Sequence, residues 1–185
     1  MNATLDEWIK QEAEILAANK RGCGSGFCTP QQLEGKSGLE ILRGMMDGSL
    51  PAPYSAKHEG ICTVDVAWGS ATFQGKPEIQ HRNPAGSVHG GWMANLCDSA
   101  MGSAVLARLP ADKTFYVTAW MSVRYLVGMP ASTSRVRCLA KVDAIHPDAR
   151  EMKASARIVD SEGVCFAEAE GAYKVSRGAF GAGFA

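Results

Sequence analysis

The sequence predicts an α+β domain in which one long helix of small residues is wrapped by a curved antiparallel sheet of about six strands. Three features carry that expectation. The stretch from residue 89 to 108 is apolar, is rich in small side chains (Ala94, Ala100, Gly102, Ala104) and is stopped by Pro110. Runs on both sides of it alternate apolar and polar residues with a period of two, the pattern of half-buried strands. The later runs are joined by short turn signals, Gly128-Met129-Pro130, His146-Pro147-Asp148 and Asp160-Ser161-Glu162-Gly163, which suit antiparallel neighbours and not crossovers.

Along the chain, residues 4–19 read as a first helix, with Thr4 as N-cap and Glu7 three residues on. A Gly-rich connector follows, Gly22-Cys23-Gly24-Ser25-Gly26. Ser37 opens a short helix through Met46, again with an acid three residues later (Glu40), and Gly48 ends it. Leu50-Pro51-Ala52-Pro53-Tyr54 reads as an extended linker or a binding loop, and the first sixty residues as an extension packed on the main domain. Two strands, Ile61 to Trp68 and Ala71 to Gly75, precede the central helix. In the first strand after it, Val117, Ala119, Met121, Val123 and Tyr125 alternate with Thr118, Ser122 and Arg124. Three more follow around Val136–Ala144, Met152–Ile158 and Cys165–Tyr173, and the Gly/Phe-rich tail is expected to be flexible.

Composition narrows the class. With 46% hydrophobic residues the chain holds enough apolar material for a core, and a formal net charge of zero removes the electrostatic argument for nucleic acid or an anionic membrane. No stretch has the roughly 18–20 continuous apolar residues of a membrane span. Met1 to Trp8 lacks the basic and apolar regions of a signal peptide, so a cytoplasmic, reduced protein is expected. Four of the six cysteines (Cys62, Cys97, Cys138, Cys165) stand singly in strand or helix patterns, where a thiol acts as a small hydrophobe. Only Cys23 and Cys28 are close in sequence, and nothing completes a zinc set.

The most informative stretch is Asn83-Pro84-Ala85-Gly86-Ser87-Val88-His89-Gly90-Gly91 and the helix start after it, which runs to Asp98. Glycines cost a helix interior about 1 kcal/mol each against alanine. They make sense where something approaches the backbone closely, because the free N–H groups of a helix start attract anions. Asp98, an acid in an apolar helix, is a candidate base or nucleophile. His89 serves equally as a hydrogen-bonding structural residue or as a chemical one, Asn83 as a turn residue or a site residue. Trp92, Met93 and Met101 line either a ligand pocket or the core.

With Asn83 six residues before His89 and Asp98 nine after it, on this order of elements, the chain resembles the hotdog-fold thioesterases, specifically their PaaI-like (phenylacetyl-CoA thioesterase-like) branch. The resemblance runs from about Ser37 to Val175 and includes the lead-in Leu42-Arg43-Gly44-Met45-Met46-Asp47-Gly48-Ser49-Leu50-Pro51-Ala52-Pro53. It divides the chain into an N-terminal helical extension and connector (1–36), a hotdog domain (37–176) and a tail (177–185). It implies hydrolysis of an acyl-CoA, aryl-acetyl, aroyl or medium-chain, by a homodimer or a dimer-of-dimers tetramer. Coenzyme A would enter only as part of the substrate, with no metal and no separate cofactor.

Spacing independently favours a shared site. Gly91 and Asp98 lie on one helix face but about 10.5 Å apart along the axis, too far for one thioester carbonyl to reach both. A two-fold that sets two such helices antiparallel brings Asp98 of one chain to the Gly91 end of the other. In the resulting assignment the Gly91 N–H polarises the thioester oxygen, Asp98 activates water or attacks directly, and Asn83 orients water or thioester. His89 holds the loop or assists near the leaving sulfur. Gly90, Trp92 and Arg124 are the candidate substrate contacts, with Arg135 and Arg137 as further candidates for phosphate. Relatives with Glu at the acid position often carry a hydroxyl one turn later; here that place is Gly102, flanked by Ser99 and Ser103. The competing readings are a non-catalytic acyl-CoA-binding module, which has no need of Asp98, and a hotdog hydratase or dehydratase. The latter's Asp and His five residues apart are not found here.

Overall fold

The computed structural model describes residues 2–111 and 114–177. Helices α1 (Ala3–Arg21), α2 (Pro30–Leu33), α3 (Gly38–Asp47) and α4 (Tyr54–Glu59) lead into strands β1 (Ile61–Ala67) and β2 (Ser70–Gly75). The long helix α5 (Gly90–Leu106) follows, then β3 (Thr114–Tyr125), β4 (Val136–Ile145), β5 (Glu151–Asp160) and β6 (Cys165–Arg177). All six strands form one antiparallel sheet in the order β1-β2-β4-β5-β6-β3. Of the tail expected at 177–185, Arg177 pairs with Thr114, and 178–185 lie outside the described residues. No helix among the described residues is long and apolar enough to cross a membrane.

Helix α5 is the core. Leu96, Cys97, Ala100, Met101, Ala104 and Val105 are fully buried, and the sheet closes on them with Ala71, Phe73, Val136, Cys138, Ala154, Ile158, Ala167 and Tyr173. Small residues on both sides allow the close approach: a Cβ on Gly75 of β2 would lie 2.7 Å from the Trp92 ring and 3.1 Å from Leu96. The thiols of Cys97 and Cys138 meet at 4.0 Å across this interface, and burial pushes the Cys62 thiol up to about 12. All six cysteines are free.

Two expectations from the sequence need correction. The turn Gly128-Met129-Pro130 does not close a hairpin: β3 pairs with β6 at one end of the sheet, while β4 lies between β2 and β5. Short turn residues are compatible with a longer connection, here 126–135, whose Met129 carbonyl accepts from Val88 N–H. The alternation along β3 also changes phase. A register shift between Thr118 and Trp120 sets Ala119 in a bulge. Before it Tyr116 and Thr118 face α5; after it Met121, Val123 and Tyr125 do, while Val117 and Trp120 are exposed.

Of the N-terminal helices, α3 joins the main core through Leu42, and α4 meets α5 where the Glu59 carbonyl accepts from Trp92. Helix α1 is capped by Asn2, whose side chain accepts from Leu5 N–H, so it begins two residues before the Thr4 cap expected. Helix α3 begins as expected, with the Ser37–Glu40 capping box, and ends at Gly48 in the left-handed region (φ 83°). Helix α1 lies on the outer face of the sheet, opposite α5. There Glu12 pairs with Arg135, Gln11 accepts from Arg137, and the Arg137 guanidinium stacks 4.5 Å from the centre of the Trp8 ring.

Gly75→Ala tests the closeness of sheet and helix. The added methyl meets a buried indole, so the variant is expected to lose about 1–3 kcal/mol, read as a lower urea midpoint at unchanged slope.

Candidate active site

The segment before α5 is a self-contained turn. The Asn83 side chain donates to Ser87 Oγ (2.7 Å) and accepts from Ser87 N–H, while Asn83 N–H donates to the Ser87 carbonyl and Gly86 N–H to the Asn83 carbonyl. This fixes the approach to His89, which caps α5: its Nδ1 accepts the Gly91 N–H at 2.8 Å. A histidine that accepts at Nδ1 carries its proton on Nε2 in the neutral form. Both glycines are required by neighbouring rings, since a Cβ on Gly91 would stand 2.9 Å from His89 and one on Gly90 would stand 3.0 Å from Tyr125. The Tyr125 hydroxyl donates to the Gly90 carbonyl at 2.9 Å, tying the helix start to the end of β3.

Trp92 is buried and not open to a ligand within the single chain. Its indole N–H donates to the Glu59 carbonyl and its ring stacks on His81 at 5.3 Å. His81 accepts from Glu78 N–H at Nδ1, while its buried Nε2 has no partner among the described residues.

Asp98 is partly buried midway along α5. Its Oδ1 accepts from the Thr118 hydroxyl at 3.0 Å and, at a longer 3.4 Å, from the Tyr173 hydroxyl. No donor among the described residues reaches Oδ2. Burial, and then the Asp98 charge, push the Tyr116 phenol up to about 12 and raise the Tyr173 phenol strongly, so both phenols stay protonated and Tyr173 donates to Asp98. Neither Ser99 nor Ser103 bonds to Asp98; the hydroxyls come from strands β3 and β6 instead. Helix spacing hid Thr118 and Tyr173, although a tyrosine at an inward position of β6 was itself a signal, because a buried phenol needs a partner.

The sequence-derived candidates therefore fall into three places. His89, Gly90 and Gly91 stand together at the start of α5, with the Asn83 turn leading into them. Asp98 lies about 10.5 Å along the helix from Gly91. Arg124 alternates with the inward Val123 and Tyr125, so it projects from the outer face, where it pairs with Glu168. Arg135 and Arg137 are engaged by α1 on that same face, so these three arginines stand on the side of the sheet away from Asp98. Among the described residues no group of His, Cys, Asp or Glu is arranged to hold a metal. What remains is a carboxylate with one fixed and one free oxygen, and a helix start whose N–H group is held by an imidazole.

The architecture, a buried helix wrapped by a six-stranded antiparallel sheet, is the hotdog fold. A family model described as "Domain of unknown function (DUF4442)" matches residues 48–175, and the chain belongs to that family. The structure is similar to the PaaI protein of the Escherichia coli phenylacetic acid degradation operon, with a TM-score of 0.65 and 19% identity over 77% of this chain and 95% of that one. It is similar to a putative thioesterase, a phenylacetic acid degradation-related protein of Ralstonia eutropha, with a TM-score of 0.65 and 20% identity over 72% and 98% of the two chains. A thioesterase family protein of Silicibacter pomeroyi aligns with a TM-score of 0.61 and 17% identity over 68% and 90%. At these identities the likeness establishes the fold. Comparison with curated proteins gives no match.

Because His89 closes the first turn of α5, His89→Ala is expected to cost about 1 kcal/mol of stability through the lost cap. Chemical denaturation measures it; an unchanged midpoint would mean that the Gly91 contact contributes nothing to holding the helix start.

Proposed function

We propose that the protein is an acyl-CoA thioesterase, hydrolysing an aryl-acetyl, aroyl or medium-chain acyl thioester to the free acid and coenzyme A at sites shared between two copies of the chain. The observation that carries this reading is the Asp98 carboxylate. One of its oxygens is held by Thr118 of β3, the other meets no donor among the described residues, and β3 is an edge strand of the sheet.

The two edges of the sheet are unlike. At β1 the Gln11 side chain donates to the Val64 carbonyl, and α1, α3 and α4 pack alongside. At β3 twelve residues form an edge that carries exposed Val117 and Trp120 (39% and 48% exposed). A long apolar edge invites pairing with another chain. Pairing β3 with its own copy about a two-fold supports a homodimer in which each Asp98 lies near the partner's helix start. A tetramer built from two such dimers remains compatible with the open part of the outer face.

In this dimer the substrate carbonyl displaces His89 from the partner's Gly91 N–H, which then stabilises the developing oxyanion with the help of the helix dipole. Water held at Asp98 Oδ2 gives up a proton to it as its oxygen bonds to the carbonyl carbon. The C–S bond breaks, the proton passes to the departing thiolate, and acid and thiol leave with the carboxylate regenerated. Direct attack by Oδ2 uses the same oxygen: the C–S bond breaks, thiolate leaves and a mixed anhydride forms, which water cleaves to the acid and the regenerated carboxylate, its proton going to the thiolate. The free thiols, exposed Cys23 among them, support a reducing compartment such as the cytoplasm.

The test is thiol release from a panel of aryl- and fatty-acyl-CoAs by wild type and Asp98→Asn at matched stability. Turnover of at least one substrate and a loss of roughly 100-fold or more in the variant are expected. Tight binding of an acyl-CoA to both forms without turnover would favour the acyl-CoA-binding module instead.

A further inference from the structure

Tyr173 is the largest fully buried side chain of the core, and its hydroxyl has a single partner among the described residues, Oδ1 of Asp98. Its ring is held edge-on by Tyr116, with centroids 5.8 Å apart. Tyr116 in turn occupies space that exists only because residue 102 is glycine: a Cβ there would stand 2.6 Å from the Tyr116 hydroxyl and 3.0 Å from its ring. Gly102 lies one helical turn beyond Asp98. Glycine inside a helix costs about 1 kcal/mol against alanine, and this contact gives the cost a reason.

We infer that Tyr173, seated by Tyr116 and Gly102, is a positioning residue for Asp98: with Thr118 it pins Oδ1 and so makes Oδ2 the reacting oxygen. The inference rests on the proposed role of Asp98. Two donors on one carboxylate oxygen from two different strands fix both the rotation of the carboxylate and which lone pairs remain available. The Thr118 donor stands on the exposed edge strand β3, whereas the Tyr173 donor stands in the closed core, so its position is set by packing and not by solvent. Its raised phenol keeps the proton on the tyrosine, which makes the hydroxyl a permanent donor to the ionised carboxylate.

A donor to the charged form favours ionisation, so losing it moves the protonation midpoint of the carboxylate upward. In Tyr173→Phe the ring and the packing stay and only the hydroxyl goes. The Asp98 carboxyl signal, followed by carbon NMR across a pH titration, is expected to show its midpoint raised relative to the wild type. The acid limb of the pH–rate profile should move with it, and kcat should fall roughly threefold to tenfold at unchanged KM, the effect of one hydrogen bond. Gly102→Ala, which displaces Tyr116 without touching Tyr173, is expected to shift the midpoint in the same direction and keeps the test open if Tyr173→Phe does not fold. A midpoint that stays in place in folded variants, whatever happens to stability, overturns the inference. If the midpoint moves but the wild type hydrolyses no acyl-CoA, the positioning of Asp98 stands and the thioesterase reading fails.

Discussion

Helix α5 is surrounded by sheet, and the close fit is possible because small side chains face each other across the interface. That constraint leaves almost no room for polarity. Apolar burial at about 25 cal/mol per Å2 favours the enclosure, and any charge on the helix has to be satisfied by what the sheet presents. Asp98 is the acid in the interior of this helix, and the sheet answers with two hydroxyls, Thr118 and Tyr173. The position of the carboxylate near one edge of the sheet, and the orientation of its free oxygen, both follow from that requirement.

The periodicity of the sequence was sufficient for the helix and for the existence of the strands, because burial on one face leaves a period-two record. It was not sufficient for what happens inside β3. A single bulged residue, Ala119, puts Thr118 on the face toward α5, although the simple alternation assigned it to solvent, and so hid the hydroxyl that holds Asp98. Strand order was equally hidden: turn residues report that the chain reverses, not which strand becomes its neighbour. The loop constellation Asn83, His89, Gly90 and Gly91 was readable as a cluster because it is contiguous. Its internal economy, with the Asn83 side chain closing its own turn and the His89 ring holding the Gly91 N–H, depends on side-chain directions that spacing does not encode.

The outer face of the sheet shows the same limit from another side. Arg124, Arg135 and Arg137 are unexceptional as sequence, and a basic residue on a strand suggests a phosphate contact as readily as a solvated surface. Folding settles their neighbours. Arg135 and Arg137 meet Glu12, Gln11 and Trp8 on α1, an element outside the stretch that carries the family pattern, and burial lowers the Arg137 pKa. Helix α1 thus contributes to the domain by satisfying charge on the side away from the site. Its pairing is mostly shielded from water, so it is less sensitive to salt than an exposed ion pair.

The free oxygen of Asp98 and the start of α5 are too far apart to act on one thioester within one chain, and the unpaired β3 edge offers the means of bringing two chains together. Complementation between subunits tests this most directly. Asp98→Asn and Gly91→Pro variants, each inactive alone, are unfolded together, refolded as mixed dimers and assayed for thiol release. Recovery toward one wild-type site per heterodimer is the result expected if Asp98 of one chain works with Gly91 of the other. Heterodimers shown to be folded and mixed that recover no activity would contradict a shared site.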